Sequence, residues 1–250
     1  MKNNLLLIAI FVLILNSCKM KESKPLVIGH RGAMGHETEN TLASIQKAMD
    51  LGVDMTEIDV FKIRSGEIVV FHDDTVERLT DGTGNIEEYD LDSLKQLSLN
   101  GNHEIPTLEA VMDLIDNKVS LNIELKGSGT AADVNTIVES YVRDKGWSLD
   151  HIIISSFKWD ELEKMRDVNP TIQIAVLTDK DPLDAIEEAK KMKAVAINPH
   201  FKSLTSANTA QMHEEGLKVY PWTINEPEDI QQMKDFGVDG IITNFPERVH

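Results

Sequence analysis

The sequence predicts an α/β fold, a (β/α)8 barrel of the TIM type, and three observations lead there. Short apolar runs alternate strictly with amphipathic stretches, which implies parallel strands joined by crossover helices. Eight such runs occur in a chain of 250 residues, and a closed eight-stranded barrel typically takes about 250 residues. Finally, Gly29-His30-Arg31-Gly32, after the first run, lacks the glycine spacing of a dinucleotide-binding turn, which argues against an open doubly wound sheet.

The barrel follows a separate N-terminal segment. Lys2 precedes an apolar run over 5–15, shorter than the roughly 20 residues that span a bilayer but suited to the centre of a secretory signal. Leu15-Asn16-Ser17-Cys18 resembles the lipobox of bacterial lipoproteins. The resemblance implies a signal peptide over 1–17, cleavage before Cys18, and lipidation of its thiol and new amine. Several acyl chains hold a protein stably to a membrane where one holds it marginally. Residues 18–25 are polar and lysine-rich and read as a tether; 26–250 are the barrel domain. The expected location is therefore the bacterial cell envelope, membrane-anchored through Cys18. Cys18 is the only cysteine, so no intramolecular disulfide can form.

Strands are expected at 26–29, 54–60, 120–125, 151–155, 171–177, 194–198, 217–222 and 238–243. Helices are expected near 41–51, 107–117, 131–145, 158–167, 182–192, 205–215 and 227–236. Asn40 or Thr41, Thr107 and Asp181-Pro182 are start signals, while Gly52, Gly146, Gly216 and Gly237 stand just past helix ends. Two irregularities stand out. The chain stops at His250, so the eighth helix is truncated or missing. An insertion follows the second strand: Ser65-Gly66 signals a hairpin between 57–63 and 67–71 that sets His72 roughly opposite Asp59. Residues 74–104 then read as a small cap of loops and one short helix.

The formal charge of −17 argues against a nucleic-acid partner, whose phosphates need a basic surface. An anionic substrate must find a local positive site. Residues two apart on a strand share a face, so Glu57 and Asp59 point one way together, as do Glu124 and Lys126. All lie at strand C-terminal ends, where barrel enzymes carry their active sites. Three carboxylates are hard oxygen ligands that suit Mg²⁺ or Ca²⁺; with one dication they leave a net charge of about −1 (from formal charges), which Arg31 and Lys126 can offset for a bound phosphate. The alternative is an interior ion pair with Arg31 or Lys126, an expensive way merely to stabilise a fold. His30 and His72 bracket this set and titrate near neutrality, so one can accept a proton while the other donates one.

These groups, Gly29-His30-Arg31-Gly32, Glu39-Asn40-Thr41, Glu57-Ile58-Asp59-Val60, Val70-Phe71-His72-Asp73, Ile105-Pro106-Thr107-Leu108-Glu109 and Asn122-Ile123-Glu124-Leu125-Lys126, resemble the glycerophosphodiester phosphodiesterases. Ser156-Phe157, Trp222-Thr223-Ile224-Asn225 and 237–244 continue the match in family order. The resemblance implies a metal-dependent barrel enzyme that hydrolyses small glycerophosphodiesters to an alcohol and glycerol 3-phosphate. It implies His30 and His72 as the acid–base pair, Glu57, Asp59 and Glu124 as ligands of one Ca²⁺ or Mg²⁺, Arg31 and Lys126 on the phosphate, and Trp222 walling the pocket. Thr38 stands where the family often has proline, and Asn244 where it often has aspartate, so a carboxylate role there is lost. Glu39-Asn40 either orients the site or caps the first helix; the cap is the preferred reading. The rival readings are a lyase that stops at a cyclic phosphate and a lipoprotein that binds glycerophosphodiesters without cutting them.

Overall fold

The computed structural model describes residues 24–250; the expected signal peptide over 1–17, the expected lipidation position Cys18 and the expected tether up to residue 23 lie outside the described residues. The chain runs β1 (Leu26–Gly29), α1 (Leu42–Asp50), β2 (Met55–Lys62), β3 (Ile68–Val70), α2 (Leu91–Leu94), α3 (Leu108–Ile115), β4 (Ser120–Leu125) and α4 (Ala131–Asp144). It continues through β5 (Ile152–Ser156), α5 (Trp159–Val168), β6 (Gln173–Thr178), α6 (Ile186–Lys191), β7 (Ala196–Pro199), α7 (Ser206–Glu214), β8 (Lys218–Val219), α8 (Pro227–Phe236) and β9 (Gly240–Thr243). Eight strands form a nearly closed parallel barrel in the order β8-β7-β6-β5-β4-β2-β1-β9, and β3 lies antiparallel on β2 outside that ring. The predicted (β/α)8 architecture is the observed one.

Both faces of the strands are buried, which is why they read as near-continuous apolar runs. Along β2, Ile58 and Val60 belong to the large core between strands and helices, while Met55 lies in an inner plug with Ile28, Ile153, Ala175, Tyr220 and Ile242. The alternation then carries Glu57 and Asp59 onto the inward face above that plug. One face of one strand is thus apolar at its start and anionic at its end.

Register fixes the partners. In the parallel β2–β4 pair, Glu57 stands beside Asn122 and Asp59 beside Glu124. In the β2–β3 hairpin, Val60 faces Val70 and Lys62 faces Ile68; Phe71 N then donates to Asp59 O at 3.0 Å, so His72 lies one residue past the position opposite Asp59. The following segment has an apolar cluster of its own, in which Phe61 and Phe71 pack with Val76, Leu79, Ile86 and Leu94.

Helix starts sort the expected caps. Thr41, not Asn40, caps α1 by accepting from Ser44 N, and Thr107 caps α3 by accepting from Ala110 N. Asp181 caps a 3₁₀ turn, Pro182–Ala185, that leads into the shorter α6. Among the described residues, a 3₁₀ turn, Pro246–Arg248, follows β9. The strand expected at 217–222 shortens to the two residues of β8. Pro221 has no N–H to give a ladder, and the joint to β9 is made by isolated bonds, Asp239 N to Val219 O and Ile242 N to Pro221 O, each 3.0 Å.

Candidate active site

Glu57, Asp59 and Glu124 each offer a carboxylate oxygen, all within 4.8 Å of one another and all buried. Three anions held so closely repel. Burial first, then Asp59 and Glu124, push the Glu57 carboxyl well above the usual carboxylate range, and burial followed by Asp59 pushes Glu124 up to about 7. Glu57 Oε2 accepts from the Arg31 backbone N–H at 2.9 Å, whereas its Oε1 is buried without a hydrogen-bond partner. Crowded carboxylates with an unpaired buried oxygen fit a divalent cation, since buried charge needs pairing or metal. The triad could therefore hold a metal ion.

Two cations flank it. Arg31 Nε lies 3.3 Å from Asp59 Oδ2, and Lys126 Nζ lies 3.1 Å from Glu124 Oε1 and 4.0 Å from Asp59 Oδ1. Burial alone would weaken both bases. For Arg31 it is outweighed by Asp59 and Glu39, for Lys126 by Glu124 and Asp59, so both stay protonated. The interior ion pairs thus exist beside the triad, and the positive groups are positioned to meet an anion at its edge.

His30 follows β1 at the barrel's C-terminal end. Its Nδ1 donates to Asn244 Oδ1 at 2.7 Å, as the amide oxygen can only accept, leaving the Nε2 lone pair free. Burial first and Arg31 second lower its pKa to about 4, so it is neutral at pH 7. His72 is oriented differently. Its Nδ1 lies 2.6 Å from Asp73 Oδ1, and its Nε2 faces Lys126 Nζ at 3.3 Å. Both histidines, Arg31, Glu57, Glu124, Lys126 and Trp222 line one chamber at the barrel's C-terminal mouth. Trp222 forms its side wall, with the indole N–H donating to Asn198 O at 2.9 Å and the ring edge-to-face with Phe157 at 5.4 Å. A larger outer cavity of about 550 Å³, lined by His72, Asp73, Lys126, Phe157 and Lys158, adjoins it.

For the residues that hold these groups, sequence reasoning preferred the wrong one of two roles for Glu39-Asn40 and missed Arg78 and Asn244. Glu39 and Asn40, read as a cap, instead bind the site: Glu39 accepts from Arg31 Nη1 at 2.7 Å, and Asn40 Nδ2 donates to Asp59 Oδ2 at 2.9 Å. The physical reason is that Asn40 takes a left-handed backbone (φ 57°) which turns its side chain inward, and Thr41 does the capping. Arg78, from the insertion, donates Nη1 and Nη2 to the two Glu39 oxygens at 2.9 and 2.7 Å and Nε to Asp73 Oδ2 at 2.5 Å. Burial would raise the pKa of both carboxyls, but Arg78, helped by Arg31 at Glu39 and by His72 at Asp73, holds each down at about 2. The family-pattern spacing around Glu39 was the available signal; nothing local marked Arg78. Asn244, noted only as a lost carboxylate, is the group that orients His30. His36 pairs with Glu247 at 3.0 Å in an exposed position, apart from the chamber.

The glycerophosphoryl diester phosphodiesterase family model matches residues 30–248. A glycerophosphodiester phosphodiesterase of Caldanaerobacter subterraneus subsp. tengcongensis is 33% identical over 233 residues, covering 90% of this chain and 96% of the relative. Another from Bacillus altitudinis is 30% identical, covering 89% and 95%. Among solved structures, a phosphodiesterase from Oleispira antarctica in complex with the product sn-glycerol-3-phosphate superposes with a TM-score of 0.83 at 28% identity, covering 90% of this chain and 95% of that one.

Proposed function

The chain belongs to the glycerophosphoryl diester phosphodiesterase family, hydrolases of phosphoric diesters, and from that premise we propose that it hydrolyses glycerophosphodiesters to an alcohol and sn-glycerol 3-phosphate by two-histidine catalysis. The observation that carries the reading is the chamber itself. Imidazoles from the end of β1 and from beyond β3 line the same small space as Glu57 and Glu124 of the carboxylate triad and two fixed cations.

In this reading Glu57, Asp59 and Glu124 hold Ca²⁺ or Mg²⁺, which when bound supplies Lewis-acid neutralisation of phosphate charge. Arg31 and Lys126 take the remaining anionic oxygens, Arg31 with its fork already aimed by Glu39 and Asp59. His30, neutral with Nε2 free, removes the nucleophile's proton. His72, backed by ionised Asp73, carries the proton that the leaving alkoxide takes; an ionised carboxylate behind an imidazole stabilises the imidazolium. Trp222 closes the side of the pocket. The relative whose structure contains sn-glycerol-3-phosphate supports the substrate class.

A coupled glycerol 3-phosphate assay over glycerophosphocholine, glycerophosphoethanolamine and glycerophosphoglycerol tests the reading. We expect turnover that EDTA abolishes and Ca²⁺ or Mg²⁺ restores. No release on any diester would refute it, and a cyclic phosphate persisting in the phosphorus NMR spectrum would make the enzyme a lyase. The same reading anchors the protein to the envelope through lipid on Cys18; membrane association surviving Cys18→Ser would remove that part alone.

A further inference from the structure

Outside the chamber lies a fully buried charge with no part in the chemistry described so far. Glu161, in the first turn of α5, is 0% exposed. Its Oε1 accepts from Gly129 N at 2.7 Å, and its Oε2 accepts from Thr130 N at 3.1 Å and Ala131 N at 3.2 Å. Lys164 Nζ donates to Oε1 at 2.8 Å. Burial alone would raise its pKa, but Lys164 and the N–H groups of Gly129 and Ala131 outweigh it and hold the carboxyl below its usual range. Those N–H groups form the start of α4, where free donors and the helix dipole both favour an anion.

We infer that Glu161 is a positioning residue for Lys126: from α5 it holds the start of α4 and so fixes where the loop after β4 presents the Lys126 ammonium to the phosphate. The inference rests on the proposed function and adds to it a residue outside the chamber. A helix start is ordinarily capped by the side chain of the residue just before it. Thr130 stands there but makes no such bond; its Oγ1 donates to Gly127 O at 3.1 Å. α4 is closed instead by a carboxylate 31 positions further along the chain. Burying a charge is a poor way merely to end a helix. What the distant carboxylate adds is a tie between two successive βα units, at the loop that carries a phosphate-binding cation.

The tie reaches Lys126 through a short relay. Glu161 holds Thr130 N, Thr130 Oγ1 holds Gly127 O, and Gly127 follows Lys126 directly. Upstream, Lys126 N and Gly127 N both donate to Val60 O, at 3.1 and 3.4 Å. Ser156 Oγ donates to Leu125 O at 2.7 Å and Lys158 Nζ to Ser128 Oγ at 3.4 Å, so the β5–α5 connection grips the same stretch at further points. The loop needs such help, because Gly127 and Gly129 lie within it, Gly129 at φ 74°, and glycine loses more conformational freedom on ordering than any other residue. It also fits closely: a Cβ on Gly127 would stand 2.8 Å from Glu87 Oε1 and 3.2 Å from Phe61 Cδ1. A shift at the start of α4 therefore carries to Lys126, whose Nζ lies 3.1 Å from Glu124 Oε1 and 3.3 Å from His72 Nε2.

The test is a double-mutant cycle on kcat/KM for glycerophosphocholine, in metal-loaded wild type, Glu161→Gln, Lys126→Ala and the double variant. Glutamine keeps the side chain's size but turns one acceptor oxygen into an NH₂ that faces backbone N–H groups. Glu161→Gln is expected to lower kcat/KM about 10-fold or more, the scale of a displaced catalytic group. Beside Lys126→Ala the same change should matter by less than about 2-fold, since residues that act through one another do not add. Arg166→Met is the control: Arg166 holds the other end of α5, donating to Asn169 O at 3.1 Å and Met192 O at 2.8 Å, so its loss should lower the unfolding midpoint and leave kcat/KM at the wild-type value. If Glu161→Gln does not fold, Glu161→Asp, a methylene shorter and still charged, takes its place in the cycle. Equal losses in the two Lys126 backgrounds, wild-type kinetics in the Glu161 variant, or a matching loss in Arg166→Met would overturn the positioning role and leave the functional reading standing. Wild type that releases no glycerol 3-phosphate would end both.

Discussion

His30 closes its Nδ1 on the neutral amide of Asn244, whereas His72 closes its own on the carboxylate of Asp73, which Arg78 in turn grips. His30 sits on the barrel proper, beside Arg31 and under burial that lowers its pKa to about 4. His72 hangs from the hairpin edge, and its supports come from the insertion. One residue type therefore has two settings, one closed on a neutral amide and one closed on a carboxylate. Pairs of titratable groups whose surroundings diverge are how a site divides acid from base.

The sharpest way to break this comparison is to remove each ring and vary the leaving group. His30→Ala and His72→Ala should each lower kcat on glycerophosphocholine by about 10³-fold, within the range for a lost general acid or base. On bis(4-nitrophenyl) phosphate, whose leaving group needs no proton, His72→Ala should recover to within about 10-fold of wild type while His30→Ala stays impaired. Identical behaviour of the two variants on both substrates would erase the distinction.

Arg78 sharpens it further, because one guanidinium holds the carboxylate behind His72 and the carboxylate behind Arg31. Arg78→Gln should lower kcat/KM for glycerophosphocholine by about 10–100-fold, the scale of misplaced catalytic groups. Arg78→Lys, a single point charge in place of a fork, should recover only part. Guanidinium added to Arg78→Gln that restores turnover would show positioning and not folding; a variant with wild-type kinetics would show that the grip is idle.

The smallest effect concerns pH. A base that must be neutral loses activity as pH falls through its pKa, so the acid limb of the rate profile is set by His30. Asn244→Asp places an anion against that ring, favours its protonated form and should move the acid limb upward, with little change at the plateau. The same lowered pKa affects folding: the unfolded chain takes up this proton more readily between about 4 and the ordinary 6.5, so this group's contribution to stability is complete above 6.5 and is lost as pH falls through that window. A limb that stays put in Asn244→Asp would detach His30 from the base role.

The barrel was legible because its strands are buried on both faces and its helices amphipathic, a pattern carried by every βα unit. The triad and the two histidines were legible because spacing by two places Glu57 with Asp59, and the strand ends place them with Glu124. Long-range partners were not. Arg78 reaches Glu39 across 39 positions and Asn244 reaches His30 across 214, distances over which periodicity says nothing. The short β8 was missed because Pro221 acts through a missing N–H, whereas the surrounding apolar run still looked like a strand. Asn122, Ser155 and Asn198 were not singled out, because they are single polar residues inside apolar runs, brought to one chamber only once the sheet is rolled.

Pro221 leaves a lasting mark on the site. Trp222 is pinned by its backbone N–H to Pro199 O, by its carbonyl to Phe201 N and by its indole to Asn198 O, all on the β7 side, and among the described residues by no backbone rung toward β9. The aromatic panel is hinged along one edge like a door on a single jamb. Mutations on the unhinged side can therefore remodel the doorway while the panel keeps its seat, which makes that flank the cheapest ground on which a lineage can acquire taste for a different alcohol.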